Sequence, residues 1–161
     1  MKTLKDMVLL GDERLYQKCD SVKKREMPIL KNLERDLHNV MEEIRKEYKF
    51  GRAIAAPQIG VMKRVIYLNI DKPVLIINPF ITFTSNETFQ VWDNCMSFPN
   101  LLVKVERYKK IKLSFFDRKW QLQTWNLEND LSELIQHEYD HLDGILSTMR
   151  AINHKSFKWN L

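Results

Sequence analysis

Asn129-Asp130-Leu131-Ser132-Glu133-Leu134-Ile135-Gln136-His137-Glu138-Tyr139-Asp140-His141-Leu142-Asp143-Gly144 is the stretch that decides both fold and chemistry. Leu131, Leu134, Ile135 and Leu142 supply apolar positions at helical intervals, so a helix is expected from about Glu128 or Asn129 to Asp143, with Gly144 as its C-terminal stop. Inside it lies His137-Glu138-Tyr139-Asp140-His141, an H-E-x-x-H pattern. Residues four apart differ by roughly 40° around a helix and by one turn along it, so both imidazoles can bind one ion. Glu138 is then held beside that ion, placed to take a proton from water. The Leu and Ile neighbours argue against a solvated face, because unpaired His and Glu are costly in apolar surroundings. These residues point to a metal-dependent hydrolase.

Two histidines leave such an ion short of protein ligands, since a catalytic site commonly uses three and keeps one position for water. Downstream of Asp143 only His154 is available, in a short polar tail. Cys95 is the better candidate, because a thiolate suits borderline-soft metals and its neighbours Asp93, Asn94 and Ser97 read as a turn. A small buried hydrophobe remains the other reading of a lone cysteine.

Working outward, Leu30, Leu33, Leu37, Val40, Met41 and Ile44 recur at spacings of three and four between Pro28 and about Lys49. They mark an N-terminal amphipathic helix with Pro28 near its start. The segments Arg64–Asn69, Val74–Thr84, Glu87–Trp92, Leu101–Val105, Ile111–Asp117 and Trp120–Trp125 are rich in Val, Ile, Phe, Trp and Thr and read as short, mostly antiparallel strands. The order helix, strands, helix is that of an α+β fold, with the strands packed around the H-E-x-x-H helix. At 161 residues, without repeat or flexible linker, the chain is expected to form one catalytic domain over residues 1–161.

Composition excludes other classes. A hydrophobic share of 44% with 29% charged residues is that of a globular protein. The most apolar run, Val74 to Phe83, is interrupted by Asn78 and Pro79 and falls short of the roughly 20 residues that a bilayer needs. The N-terminus lacks the apolar core and cleavage site of a secretory signal, so a cytoplasmic address is expected, with Cys19 and Cys95 as free thiols. The net charge of +5 invites a nucleic-acid reading, but the basic residues are scattered among 21 acidic ones. No membrane partner and no specific nucleic acid is expected.

Three segments in order, Gly51 to Gly60, Asp93 to Ser97 and Gln136 to His141, resemble motifs of the peptide deformylase family. Gly51-Arg52-Ala53-Ile54-Ala55-Ala56-Pro57-Gln58-Ile59-Gly60 is similar to its G-x-G-x-A-A-x-Q motif, and Asp93-Asn94-Cys95-Met96-Ser97 to its E-G-C-x-S motif. Gln136 to His141 is its Q-H-E-x-D-H motif unchanged, and Gly11-Asp12-Glu13-Arg14-Leu15 resembles its opening. The resemblance implies one divalent ion, natively ferrous iron and replaceable by zinc or nickel, held by Cys95, His137 and His141. It implies removal of the formyl group from N-formylmethionyl peptides of nascent proteins, releasing formate. In that reaction Glu138 moves the protons, while Gln58 and the Met96 backbone N–H serve the oxyanion. Gly51, Ala53, Ile54, Asn94 and Leu134 would face the substrate, with Ile54, Met96 and Leu134 lining the methionine pocket. A monomer with transient ribosome contact follows from the same likeness.

The pattern departs from the family at Ala53 (usually Gly), Ile54 (usually Leu), Asp93 (usually Glu) and Asn94 (usually Gly), and Leu102 stands where some members carry a peptide-holding Arg. A methyl at Ala53 crowds an approaching backbone. Asp93 is one methylene short for orienting a ligand histidine, with Arg107 as its candidate support. Ala53, Asn94 and Leu102 motivate one rival, a deformylase-like hydrolase for another N-acyl group, and the net charge of +5 motivates a second, a non-catalytic module binding nascent chains or RNA. A clear preference for formyl-Met peptides rejects the first, and absence of RNA binding at moderate salt rejects the second.

Overall fold

The computed structural model describes residues 1–160; Leu161, the end of the expected domain, lies outside them. Helix α1 spans Met27–Tyr48 and buries Leu30, Leu33, Leu37, Val40, Met41 and Ile44, the apolar stripe of its sequence. It stops at Lys49, whose backbone is left-handed. Arg45, in its last turn, donates to the carbonyls of Gly51 and Asn69 and so ties the outgoing chain to the helix end.

Among the described residues eight strands follow: β1 Ala53–Ala55, β2 Val65–Asn69, β3 Pro73–Thr84, β4 Thr88–Asn94, β5 Leu101–Tyr108, β6 Lys110–Phe116, β7 Leu122–Glu128 and β8 Phe157–Trp159. They form a five-stranded sheet, β1-β2-β3-β6-β7, and a three-stranded sheet, β4-β5-β8, with every neighbouring pair antiparallel. Helix α2, Asn129–Leu142, comes between β7 and β8 in the chain, giving an α+β architecture.

Period-two alternation divides the five-stranded sheet between the two helices. Ile54, Val65, Tyr67, Leu75 and Ile77 join the α1 side chains in one core. Ala53, Ala55, Ile66, Leu68 and Ile76 join Leu134, Ile135 and Leu142 of α2 in another. A third, smaller core gathers Cys95, Val103 and Val105 with Val8, Leu15 and Leu146. Gly144 ends α2 in a left-handed conformation, and a Cβ there would stand 2.6 Å from the Tyr16 backbone, so only glycine fits.

The structure revises several boundaries. Asp93 and Asn94 are the last residues of β4 and not a turn, because Asp93 is buried by side-chain partners on β5 and α2. Trp120 lies outside β7: the Asp117 carboxylate accepts from the N–H groups of Lys119 and Gln121 and closes a turn there. Leu131, expected among the apolar positions of α2, is exposed together with Asn129 and Asp130.

Candidate metal centre

Cys95, His137 and His141 converge although 46 residues separate the cysteine from the second histidine. Cys95 follows the last residue of β4, and the histidines stand one turn apart on α2. All three are buried, and their ligand atoms lie within 4.8 Å of one another. Cys95 Sγ is 3.3 Å from His141 Nε2, which is 3.2 Å from His137 Nε2. Donors of a tetrahedral zinc-sized ion stand about 3.3 to 3.5 Å apart, so the spacing of these donors suits one ion.

Asp93 orients the ring. His137 Nδ1 donates to its Oδ2 at 2.9 Å, which turns Nε2 toward the other donors, where a bound ion would take the place of its proton. The same oxygen accepts from Arg107 Nη2 at 2.9 Å, and Arg107 Nη1 donates to Asp140 at 2.6 Å. Arg150 closes the network from the surface with two bonds to Asp140. Burial opposes the charge on Asp93, yet His137 and Arg107 outweigh it and hold the carboxyl at about 2. Burial likewise opposes the His137 imidazolium, but Asp93 and Cys95 raise it well above the ordinary value. At His141 burial and the neighbouring His137 charge act together, and its pKa is well below the ordinary value.

Glu138 is 3% exposed, and its Oε2 has no hydrogen-bond partner among the described residues. Burial pushes its carboxyl up to about 7, into the range where a group both takes and gives protons near neutrality. Gln58 lies on the short 3-10 turn after β1; its Oε1 accepts from the Ala55 N–H at 2.9 Å, which orients the amide. Its Nε2 then points toward Cys95 Sγ, at 3.5 Å, and Ser97 Oγ, at 3.2 Å.

A cavity of about 750 Å³ opens beside these groups, and Gly51, Ala53, Asn94, Met96 and Leu134 all border it with His137 and Glu138. Gly51 has φ +126°, and a Cβ there would meet the Met96 side chain at 2.8 Å. Ile54 does not border the cavity: alternation along β1 turns it toward α1, and it is fully buried in that core. Leu102 pairs with Asn94 across β4 and β5 and is also absent from the lining. Sequence reasoning passed over Asp140, Arg52 and Glu133. Glu133 was within reach of the periodicity argument, since it precedes His137 by the same four residues that separate the two histidines.

An α+β fold that centres a buried Cys-His-His set beside a carboxylate on a helix is the architecture of a metal-dependent hydrolase. The family model for polypeptide deformylase matches residues 4–157. The chain therefore belongs to the peptide deformylase family, enzymes that remove the N-formyl group from nascent peptides. It is 34% identical over 151 residues to a peptide deformylase of Brachyspira hyodysenteriae, covering 88% of this chain and 78% of the relative. The crystal structure of peptide deformylase from Thermotoga maritima superposes with a TM-score of 0.79 at 30% identity, over 91% of this chain and 97% of that one. A Met-Ala-Ser-bound peptide deformylase of Acinetobacter baumannii does so with a TM-score of 0.80 at 25% identity, over 89% and 96%.

Proposed function

We propose that Cys95, His137 and His141 hold one divalent ion, ferrous iron in the native enzyme, and that the chain deformylates N-formylmethionyl peptides with Glu138 as its proton carrier. The observation that carries this reading is the convergence of three buried donors around a point flanked by an unpartnered buried carboxylate. Zinc or nickel suits the same donors. When bound, such an ion acts as a Lewis acid toward water and the formyl oxygen.

The remaining work falls to the chain's own side chains. Glu138 takes a proton from the attacking water and delivers it to the departing amide nitrogen, so that formate and a free amine result. The Gln58 amide and the Met96 N–H donate to the oxygen that gains charge in the transition state. The substrate backbone is placed by β1, a terminal strand of its sheet. The Arg52 carbonyl accepts from Asn69 on β2, so the N–H and C=O of Ala53, the next residue, face the open edge, where an extended peptide adds as a further strand. Gly51, Asn94 and Leu134 complete the substrate side. A Met-Ala-Ser ligand in the Acinetobacter relative supports a short peptide as occupant.

We read residues 1–161 as one catalytic domain, a monomer acting in the cytoplasm with transient ribosome contact. Among the described residues no helix is long and apolar enough to cross a membrane. The test is formate release from a formyl-Met-Ala-Ser peptide by anaerobically prepared ferrous protein. Release well above that of Glu138→Ala is expected, and equal release by the two proteins overturns the reading.

A further inference from the structure

Asp140 lies on α2 between His137 and His141 in sequence and is buried. Among the described residues its carboxylate has two side-chain partners, Arg107 from β5 and Arg150 from the 3-10 turn Ser147–Arg150. Arg150 holds both oxygens, with Nε 2.5 Å from Oδ2 and Nη2 2.7 Å from Oδ1. Its own backbone is fixed to β5: the next residue, Ala151, bridges to Val105, and the Ile152 N–H donates to the Lys104 carbonyl at 3.1 Å. A two-bonded carboxylate on an anchored segment is a fixed point.

Arg107 depends on that point. Its Nη1 serves Asp140 and its Nη2 serves Asp93, while its buried Nε has no partner among the described residues. Two carboxylates alone therefore centre the guanidinium, and the place of one sets its hold on the other. Asp93 in turn orients the His137 ring. The contacts run from Arg150 through Asp140, Arg107 and Asp93 to His137, and no link is longer than 2.9 Å. Resting on the reading of Cys95, His137 and His141 as ligands of one ion, we propose that Arg150 is a positioning residue: by fixing Asp140 it keeps Arg107, Asp93 and the His137 ring in register for the metal. Arg150 is absent from the lining of the reaction cavity and borders a separate one of about 710 Å³, so it acts through these links and not on the substrate.

The sign of the effect separates this role from a charge effect. A cation repels a divalent ion, so deleting the Arg150 charge by itself tightens metal binding. Loss of a positioning contact weakens it, as does loss of the partners behind metal-bound histidines. The experiment measures zinc dissociation constants by chelator competition on folded wild type, Arg150→Met, Arg150→Lys, Asp140→Asn and the double variant Asp140→Asn/Arg150→Met. Arg150→Met is expected to weaken zinc binding about three- to tenfold, the lower part of the range for histidine-orienting partners. Arg150→Lys keeps the charge without the paired bonds and falls between Arg150→Met and wild type. In the Asp140→Asn background the same Met replacement adds little, because the link through which Arg150 acts is already cut. Equal or tighter zinc binding by Arg150→Met, or a full second loss in the Asp140→Asn background, overturns the inference and leaves the metal centre standing. A wild type that binds no zinc overturns both.

Discussion

Glu138 and Arg107 show how single residues set the chemistry. Glu138 has its carboxyl raised by burial from 4.5 to about 7, so the folded, metal-free chain binds a proton more tightly there than the unfolded chain does. Stability of the metal-free protein therefore declines as pH rises from 4.5 through 7, by up to about 3 kcal/mol, and Glu133 adds a decline of the same sign. Chelator-treated Glu138→Gln is expected to melt above chelator-treated wild type at pH 8 and level with it at pH 4, while metal-loaded Glu138→Gln loses roughly 100-fold or more in kcat. Equal melting of the two proteins at both pH values sinks the stability claim. Arg107, 3% exposed, neutralises Asp93 and Asp140 together. Its replacement by Met leaves Asp93 with His137 alone and Asp140 with Arg150 alone, at a cost of about 3 kcal/mol, and loosens His137, weakening metal binding by about 10–100-fold. Denaturation and metal titration check the two effects. The motif residues were legible because helical spacing alone aligns His137, Glu138 and His141. Arg107 was only a guess, since its 14- and 33-residue separations from Asp93 and Asp140 leave no local periodicity.

Elements were legible in proportion to their length. The 22 residues of α1 repeat their apolar spacing many times, whereas β1 and β8, three residues each, offer no alternation to read and went unseen. The cost of missing β1 was specific: without it the side of Ile54 could not be assigned, and that residue was expected at the methionine pocket instead of under α1. Gly144 was legible as a helix stop by residue type alone. The fold adds why no other residue serves, with positive φ and the Tyr16 backbone 2.6 Å from a Cβ. Gly144→Ala is expected to destabilise by well over about 1 kcal/mol, read as a lower urea midpoint with unchanged slope. A midpoint equal to that of wild type would show that this segment shifts without strain.

At the scale of the molecule, the order of helix, strands and helix was readable, but the division of the strands into two sheets was not. That division rests on pairings such as β3 with β6 and β5 with β8, which join segments far apart in the chain. It also places the metal donors on separate bodies. Cys95 leaves the end of β4 in the three-stranded sheet, and the histidines ride on α2, whose core is shared with the five-stranded sheet. An ion held by all three therefore links the two sheets through α2, and unfolding must release it. Binding to the folded state alone stabilises by about 2.7 kcal/mol at a free-ion concentration one hundred times the dissociation constant. For a chain of this size that is a rise of roughly 5–10 °C in Tm. Zinc-loaded protein is expected to melt higher than chelator-treated protein by that amount. In Cys95→Ala, which keeps both histidines but severs the link to β4, most of the difference disappears. A wild-type Tm indifferent to zinc and chelator would mean that the three donors do not act on one ion.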